Sequence, residues 1–256
     1  MKLMNYRYLI YNLIKKDYIL KYRNTILGFI WSILEPLSTT IILYIIFSIF
    51  AKFQLNHYFL FLFNGLILWQ FFSTTLIQGS TILLDNSPII KKLYFPYFIL
   101  YLSPLTINFI QYIISVLILL ILSFFLIHLT INLYIISVFI VTVMFFIIFL
   151  TGLIMIISIL NIKYRDISYL TSIILKFWFY LTPILYPADI VPSKYKQLLY
   201  LNPIFPFINI LQNIFYFQDT TNNIKLLSAA VFYSITLFAI GIFIYIKNYR
   251  LFPEEV

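Results

Sequence analysis

FILYLSPLTINFIQYIISVLILLILSFFLIHLTINLYIISVFIVTVMFFIIFLTGLIMIISILNI, residues Phe98 to Ile162, contains no Asp, Glu, Lys or Arg. A helix needs about 20 apolar residues to cross roughly 30 Å of hydrocarbon. The stretch is too long for one crossing and suits two with a short turn between them. Its continuous apolar character excludes a β-barrel, whose strands alternate apolar and polar residues over about ten positions.

The rest of the chain has the same character. Of 256 residues, 63% are hydrophobic, 21% aromatic and only 10% charged. A soluble domain carries about a quarter charged residues. The expected fold is an all-α membrane protein with six transmembrane helices, spanning about 27–50, 58–84, 105–127, 133–160, 167–186 and 224–246. The net charge of +9 fits cytoplasmic loops, which collect Lys and Arg, better than nucleic-acid binding. With no cysteine, disulfide, Fe–S and thiol chemistry are excluded.

Placing the N-terminus inside puts Lys2, Arg7, Lys15, Lys16, Lys21, Arg23, Lys91, Lys92, Lys163, Arg165, Lys247 and Arg250 on the inner side. Lys52, Lys194, Lys196 and Lys225 fall outside. This bias predicts both termini in the cytoplasm. Residues 197–218 are uncharged and long enough to cross, yet a crossing would put Lys247 and Arg250 outside. Asn202, Pro203, Pro206, Asn209, Gln212 and Asn213 interrupt the segment. It reads as a pair of external re-entrant helices between spans five and six, shielded by other helices.

Residues 1–24 form a separate unit. At 100° per residue, Leu3, Tyr6, Ile10, Leu13 and Ile14 share one face, with Asn5, Asn12 and Lys16 opposite. An amphipathic helix on the inner surface is expected, as an anchor or as a docking surface for a partner.

Enzymatic chemistry finds no support. His57 and His128 lie near outer loops, and no His, Cys or carboxylate cluster has metal-ligand spacing. Gly28, Gly65, Gly79, Gly152 and Gly241 are scattered, so there is no phosphate-cradling loop. Energy for any transport then comes from elsewhere. Two ionisable residues, Glu35 and Lys176, sit well inside spans, where a lone charge costs roughly 2.5–3.5 kcal/mol on insertion scales. Each lies about 12–14 Å into its helix from the inner side. The expectation is that they pair, within a subunit or across a dimer; each facing a water-filled channel is the alternative.

The densest motif is KYRNTILGFIWSILEP, residues 21–36. Arg23 can snorkel to headgroups, Trp31 offers an amphipathic ring, and Pro36 removes a backbone donor and invites a kink. In Arg23 (preceded by Tyr22), Thr25, Leu27, Gly28, Trp31 and Pro36 the segment resembles the start of the first span in ABC-2-type polysaccharide exporter permeases, the membrane subunits that export O-antigen, teichoic acid and capsule. DNSPIIKKLYFP, residues 85–96, is similar to that family's Lys-Lys-x-Tyr-Phe-Pro segment. There Ser87 is expected to cap a short basic helix, with Pro88 in its first turn and Pro96 at its end. NIKYRD, residues 161–166, resembles the family's second inner loop. Pro183 to Pro187, Val191-Pro192, Tyr195 and Leu201-Asn202-Pro203 resemble its external re-entrant pair.

The resemblance implies a homodimer with two copies of a separate ATP-binding cassette ATPase, which would hold ATP and Mg; this chain itself would need no cofactor or metal. It implies export of a lipid-linked glycan across the cytoplasmic (inner) membrane. Ser87, Pro88, Lys91, Lys92, Tyr94, Arg165 and Asp166 become the expected ATPase-coupling residues. A glycan path needs flat apolar rings and modest hydrogen bonding. The aromatic candidates are Trp31, Tyr44, Trp69, Phe71, Phe72, Trp178 and Tyr180, for each of which packing is the leading reading. Trp31 and Trp178 are favoured for lining because their helices carry Glu35 and Lys176. Same-fold exporters of small hydrophobic molecules, and membrane enzymes of lipid-linked glycan synthesis, are the alternatives.

Overall fold

The computed structural model describes residues 6–23, 25–26, 28–93, 95–218, 223–249 and 252. Leu3, Asn5, Leu27, Tyr94 and Arg250 therefore lie outside the described residues. Among the described residues the chain is all-helical. α1 is Arg7–Tyr22, α2 Trp31–Tyr44, α3 Tyr58–Asp85, α4 Ser87–Ile90 and α5 Phe98–Ile127. α6 is Leu133–Lys163, α7 Ile167–Leu181, α8 Ser193–Leu199, α9 Phe205–Gln212 and α10 Asn223–Asn248. A short 3-10 turn, Gly28–Ile30, leads into α2, and wide π-type turns extend α2 to Phe50 and α9 to Phe217.

Among the described residues, five helices are long and apolar enough to cross a membrane: 31–50, α3, α5, α6 and α10. The chain is a multi-pass membrane protein. α7 was expected to span to residue 186 but ends at Leu181; its 15 residues rise about 22 Å. Pro183 lacks the N–H needed to carry the ladder on, and Gln212 Nε2 donates to the Pro183 carbonyl instead (3.1 Å).

α3 is the hub. Its buried side chains cover all sides, from Leu60, Phe61, Leu62 and Phe63 through Phe71 and Phe72 to Leu83. α2, α5, α6, α7 and α9 pack against it. Phe72, Phe146, Phe149 and Phe207 form an aromatic centre joining α3, α6 and α9. α6 and α10 pack backbone to backbone. A Cβ added at Gly152 would stand 2.6 Å from the Leu237 carbonyl, and one at Gly241 would stand 2.7 Å from the Gly152 oxygen.

The segment between α7 and α10 is uneven in its burial. α8 is short and largely exposed, whereas α9 is almost wholly buried. Phe207, near its start, meets Phe146 and Phe149 half-way along α6. Tyr216, beyond its end, hydrogen-bonds the Asn56 carbonyl in the loop between α2 and α3. Asn64 Nδ2 donates to the Leu211 carbonyl at 2.8 Å. Buried backbone in a bilayer needs such partners.

Both histidines sit at left-handed positions, His57 before α3 and His128 after α5, each with φ 50°. His is among the residue types enriched there, and both act as turn formers. Asn132 caps α6, its Oδ1 accepting from Ile135 N at 2.9 Å.

Candidate coupling surface and translocation face

One end of the bundle gathers α1, α4, the turn between α6 and α7, and the end of α10. α1 is helical as expected, but its apolar face meets protein rather than lipid. Leu13 is buried, and Tyr6, Leu9 and Ile10 pack on the core, with α5 as the main neighbour. Tyr8, Tyr11, Tyr18, Ile19 and Leu20 are the large apolar side chains of α1 left exposed. Periodicity reveals an apolar stripe but not what covers it.

Lys16 lies opposite the apolar stripe of α1, and its Nζ donates to Asn86 Oδ1 (2.7 Å) and pairs with Asp17 (3.1 Å). Asp17 in turn accepts from the Ser103 hydroxyl of α5. At the end of α1, Lys21 Nζ donates to Asn108 Oδ1 and Gln111 Oε1, both at 3.1 Å. Gln111 Nε2 donates to the Tyr22 hydroxyl, which also bonds Ser32 at the start of the first span. Asn108 Nδ2 reaches Thr75 and Gln78 of α3. Burial pulls the Lys21 pKa down, and the Glu35 carboxylate partly offsets this. The sequence reading missed this elbow; its signal was the amides of α3 and α5 inside otherwise apolar text.

α4 is only four residues long. Its cap residue is Asn86, not Ser87, and Asn86 caps by its carbonyl, which accepts from Ile89 N and Ile90 N (both 3.0 Å). The Asn86 side chain is already engaged by Lys16 and by the Ile82 carbonyl. Pro88 sits in the first turn as expected. Pro88, Lys91, Lys92 and Leu93 are exposed; Ile90 and Phe95 are buried. Tyr94 cannot be placed among the described residues. Arg165 and Asp166 are exposed in the turn between α6 and α7. That turn is held by Asn161, whose Nδ2 donates to the Ser80 carbonyl of α3 (2.9 Å) and whose Oδ1 accepts from Ser168 N (3.1 Å). α3 thus carries both loops at one end of the bundle.

The second surface consists of the open faces of α2 and α7, on either side of α3. Glu35 and Lys176 are both exposed. The ion pairs among the described residues are Lys16–Asp17 and Lys196–Asp189, so Glu35 and Lys176 do not pair within the subunit. α2 packs on α3 and α5, α7 on α3 and α6; the two charges stand on different flanks. Of the first-span motif, Arg23, Thr25 and Trp31 are exposed. Gly28 holds φ 50° with open space where a Cβ would be, so conformation rather than crowding requires it. Pro36 is buried inside α2.

Lys176 borders a groove between α3 and α7 lined by Trp69, Ser73, Ile77, Ser172, Phe179 and Tyr180, of about 610 Å³. A second groove of about 670 Å³ lies between α7 and α8, with Phe177, Trp178, Tyr180, Tyr186, Tyr195 and Asn202 among its walls. Tyr180 and Phe177 are each 68% exposed. Trp178 is half-buried: its ring stands edge-on to Phe72 (5.3 Å), and Nε1 donates to Asn202 Oδ1 at 2.7 Å. Trp69, Phe71 and Phe72 are core residues, and Tyr44 packs on Tyr58 and Phe59. No cluster of three or more His, Cys, Asp or Glu able to hold a metal occurs among the described residues.

The family model described as "ABC-2 type transporter" matches residues 8–216, from α1 through α9. The chain belongs to the ABC-2 type transporter family. A relative from Myxococcus xanthus, named O-antigen export system permease protein RfbA, is 26% identical over 178 residues. That match covers 70% of this chain and 68% of the relative. A Klebsiella pneumoniae protein of the same name is 36% identical over 88 residues, 34% of each chain. Membership makes this a transporter membrane subunit, and the matched residues include α4, the turn between α6 and α7, and the open faces of α2 and α7.

Proposed function

We propose that this chain is the permease subunit of an ABC exporter that moves a lipid-linked polysaccharide across the cytoplasmic membrane. Its driving force would be ATP hydrolysis on a separate ATPase subunit. The carrying observation is the family match from α1 to α9, joined by relatives named as O-antigen export permeases. α7 with residues 182–186 would make a sixth crossing, and α8 and α9 would fill the outer half of the bundle beside it. The basic loops cluster at one end of the bundle, which supports a cytoplasmic placement for that end and both termini.

The working unit is a homodimer carrying two ATPase subunits. α2 and α7 expose long apolar faces on which Glu35 and Lys176 are unpaired with each other. A second copy turned by two-fold symmetry would let each Glu35 meet the other subunit's Lys176, giving two equivalent pairs. The path lies between the copies, walled by Trp31, Tyr180, Phe177 and the grooves of α7. Rings and hydroxyls there suit sugar faces, which need stacking and a few hydrogen bonds rather than a charged pocket. Lys91, Lys92, Arg165 and Asp166 would meet the ATPase.

Purifying the chain from its native membranes tests this directly. The expected result is an ABC ATPase in equal copy number together with a glycolipid. Recovery of the ATPase with only small hydrophobic cargo would favour the same fold with a different substrate. Glycan-processing activity by the chain without any ATPase would overturn the reading.

A further inference from the structure

The segment bearing α4 is tied down at both ends by parts of the chain remote in sequence. Before it, Asn86 is gripped by Lys16 of α1 at 2.7 Å. After it, residues 95–98 enter an aromatic cluster at the end of α10. The Tyr97 ring lies 5.1 Å from Tyr249 and 5.9 Å from Phe252, and Phe95 lies 5.2 Å from Tyr97. The Tyr245 hydroxyl accepts from Phe98 N at 3.0 Å, and the Tyr249 hydroxyl donates to the Phe95 carbonyl at 3.4 Å. Phe252 is wholly buried against Tyr97, Tyr245 and Tyr249, although it lies four positions past the end of α10.

A four-residue helix has no stability of its own, since nucleation outweighs so few hydrogen bonds. Its direction must come from its anchors. A partner pressing on the exposed residues Pro88, Lys91, Lys92 and Leu93 moves the bundle only if the segment does not swing instead. Asn86 links it to α1 and α3; the aromatic cluster links it to α5 and α10.

We propose that Phe252 is a positioning residue for transport: its buried ring locks residues 95–98 to α10, so that force on α4 reaches α5 and α10 together. This rests on the reading of α4 as the ATPase-facing segment. Because the chain has no cysteine, one spin label on Leu93→Cys reports the segment's motion in the full chain in lipid nanodiscs. A label on Ile136→Cys, at the far end of the bundle, is the control. Phe252→Ala should loosen the label at 93 and leave that at 136 unchanged. With the ATPase reconstituted, the same variant should lower transport per ATP hydrolysed several-fold, and Phe252→Leu should restore both. Tyr249→Phe, which keeps the ring and removes the hydroxyl that bonds the Phe95 carbonyl, should loosen the label to a smaller degree and decides the matter if Phe252→Ala does not assemble. Equal mobility at 93 in these variants, with an unchanged ratio of transport to hydrolysis, would overturn the proposal. Lys91→Glu with Lys92→Glu separates the two readings. If that pair abolishes ATPase binding while Phe252→Ala changes nothing, the clamp is wrong and the coupling surface stands. If the pair leaves ATPase binding and transport intact, the coupling surface is wrong, and the loss of force transmission claimed for Phe252 falls with it.

Discussion

The first span and α3 are two apolar helical stretches with opposite surroundings. In the most apolar window of α3, 78% of the residues are buried; in the first span, 11% are. The first span is nevertheless the more apolar of the two. In a bilayer, lipid is as apolar as a protein core, so hydrophobicity marks a crossing without saying what the helix faces. What marks α3 as the centre is its polar and small content. Asn64, Thr75 and Gln78 hydrogen-bond α9 or α5, and Gly65 and Gly79 admit Ile184 and Ile154. The first span instead leaves Trp31, Glu35, Ile42, Ile49 and Phe50 open, the face that the proposed dimer would cover.

The contrast breaks most readily at its aromatic centre. Phe72 is fully buried and touches Trp69, Phe146, Phe149 and Trp178. Phe72→Ala should cost about 3–5 kcal/mol, read as a large drop in the unfolding temperature of the detergent-purified chain. Phe177→Ala, at an exposed site on α7, should leave that temperature nearly unchanged while slowing transport. Equal destabilisation by the two would mean that α7 has no open face.

Next in size is the charge on the open face. Glu35→Lys or Lys176→Glu alone would place like charges opposite one another across the proposed dimer, and an unpaired mid-span charge costs roughly 2.5–3.5 kcal/mol. Each single variant should lose dimer in cross-linking assays, and the double swap should regain it. Failure of the swap would leave Lys21, the cation whose titration Glu35 influences within the chain, as the better partner for Glu35. A smaller effect is expected on the buried side: Asn64→Leu removes one bond to the Leu211 carbonyl. Polar bonds between membrane helices average about 0.6 kcal/mol and reach about 1.7, so a modest loss confined to the seating of α9 is expected, measured by hydrogen exchange across 205–217.

These regions also differ in how legible they were. Where the flanking loops are charged or turn-forming, the helix ends lie close to the expected bounds: Tyr58–Asp85 beside 58–84, and Asn223–Asn248 beside 224–246. α5 starts at Phe98 rather than at 105, because Ser103 and Pro104 look like a loop in the text. In the fold Ser103 bonds Asp17, and Pro104 is buried within the helix. α7 is shorter than expected because Pro183 ends it while apolar residues continue. At the candidate site, the exposure of Lys91, Lys92, Arg165 and Asp166 followed from charge. The cap did not, since Asn86 and Ser87 are both good caps and only the grip of Lys16 on the Asn86 side chain separates their roles. Trp69, Phe71, Phe72 and Trp178 are chemically alike in a sequence, and the facing of each ring depends on a helix rotation that uniform apolarity does not encode.

Trp178 offers the finest test because it belongs to both regions. Its ring edge rests on Phe72 in the core, while its Nε1 holds Asn202 at the groove between α7 and α8. Asn202 also donates to Thr182 Oγ1 (2.9 Å) and accepts from Ile204 N (3.2 Å), so it ties the end of α7 to the turn before α9. Trp178→Phe keeps a ring against Phe72 and deletes the N–H. The remaining Asn202 bonds limit the expected loss to about 0.5–1.5 kcal/mol, the net contribution of one hydrogen bond. Hydrogen exchange should quicken in 193–204 and stay unchanged in α3. If exchange instead quickens throughout α3, the ring rather than the hydrogen bond is what Trp178 contributes, and the groove between α7 and α8 is shaped by core packing alone.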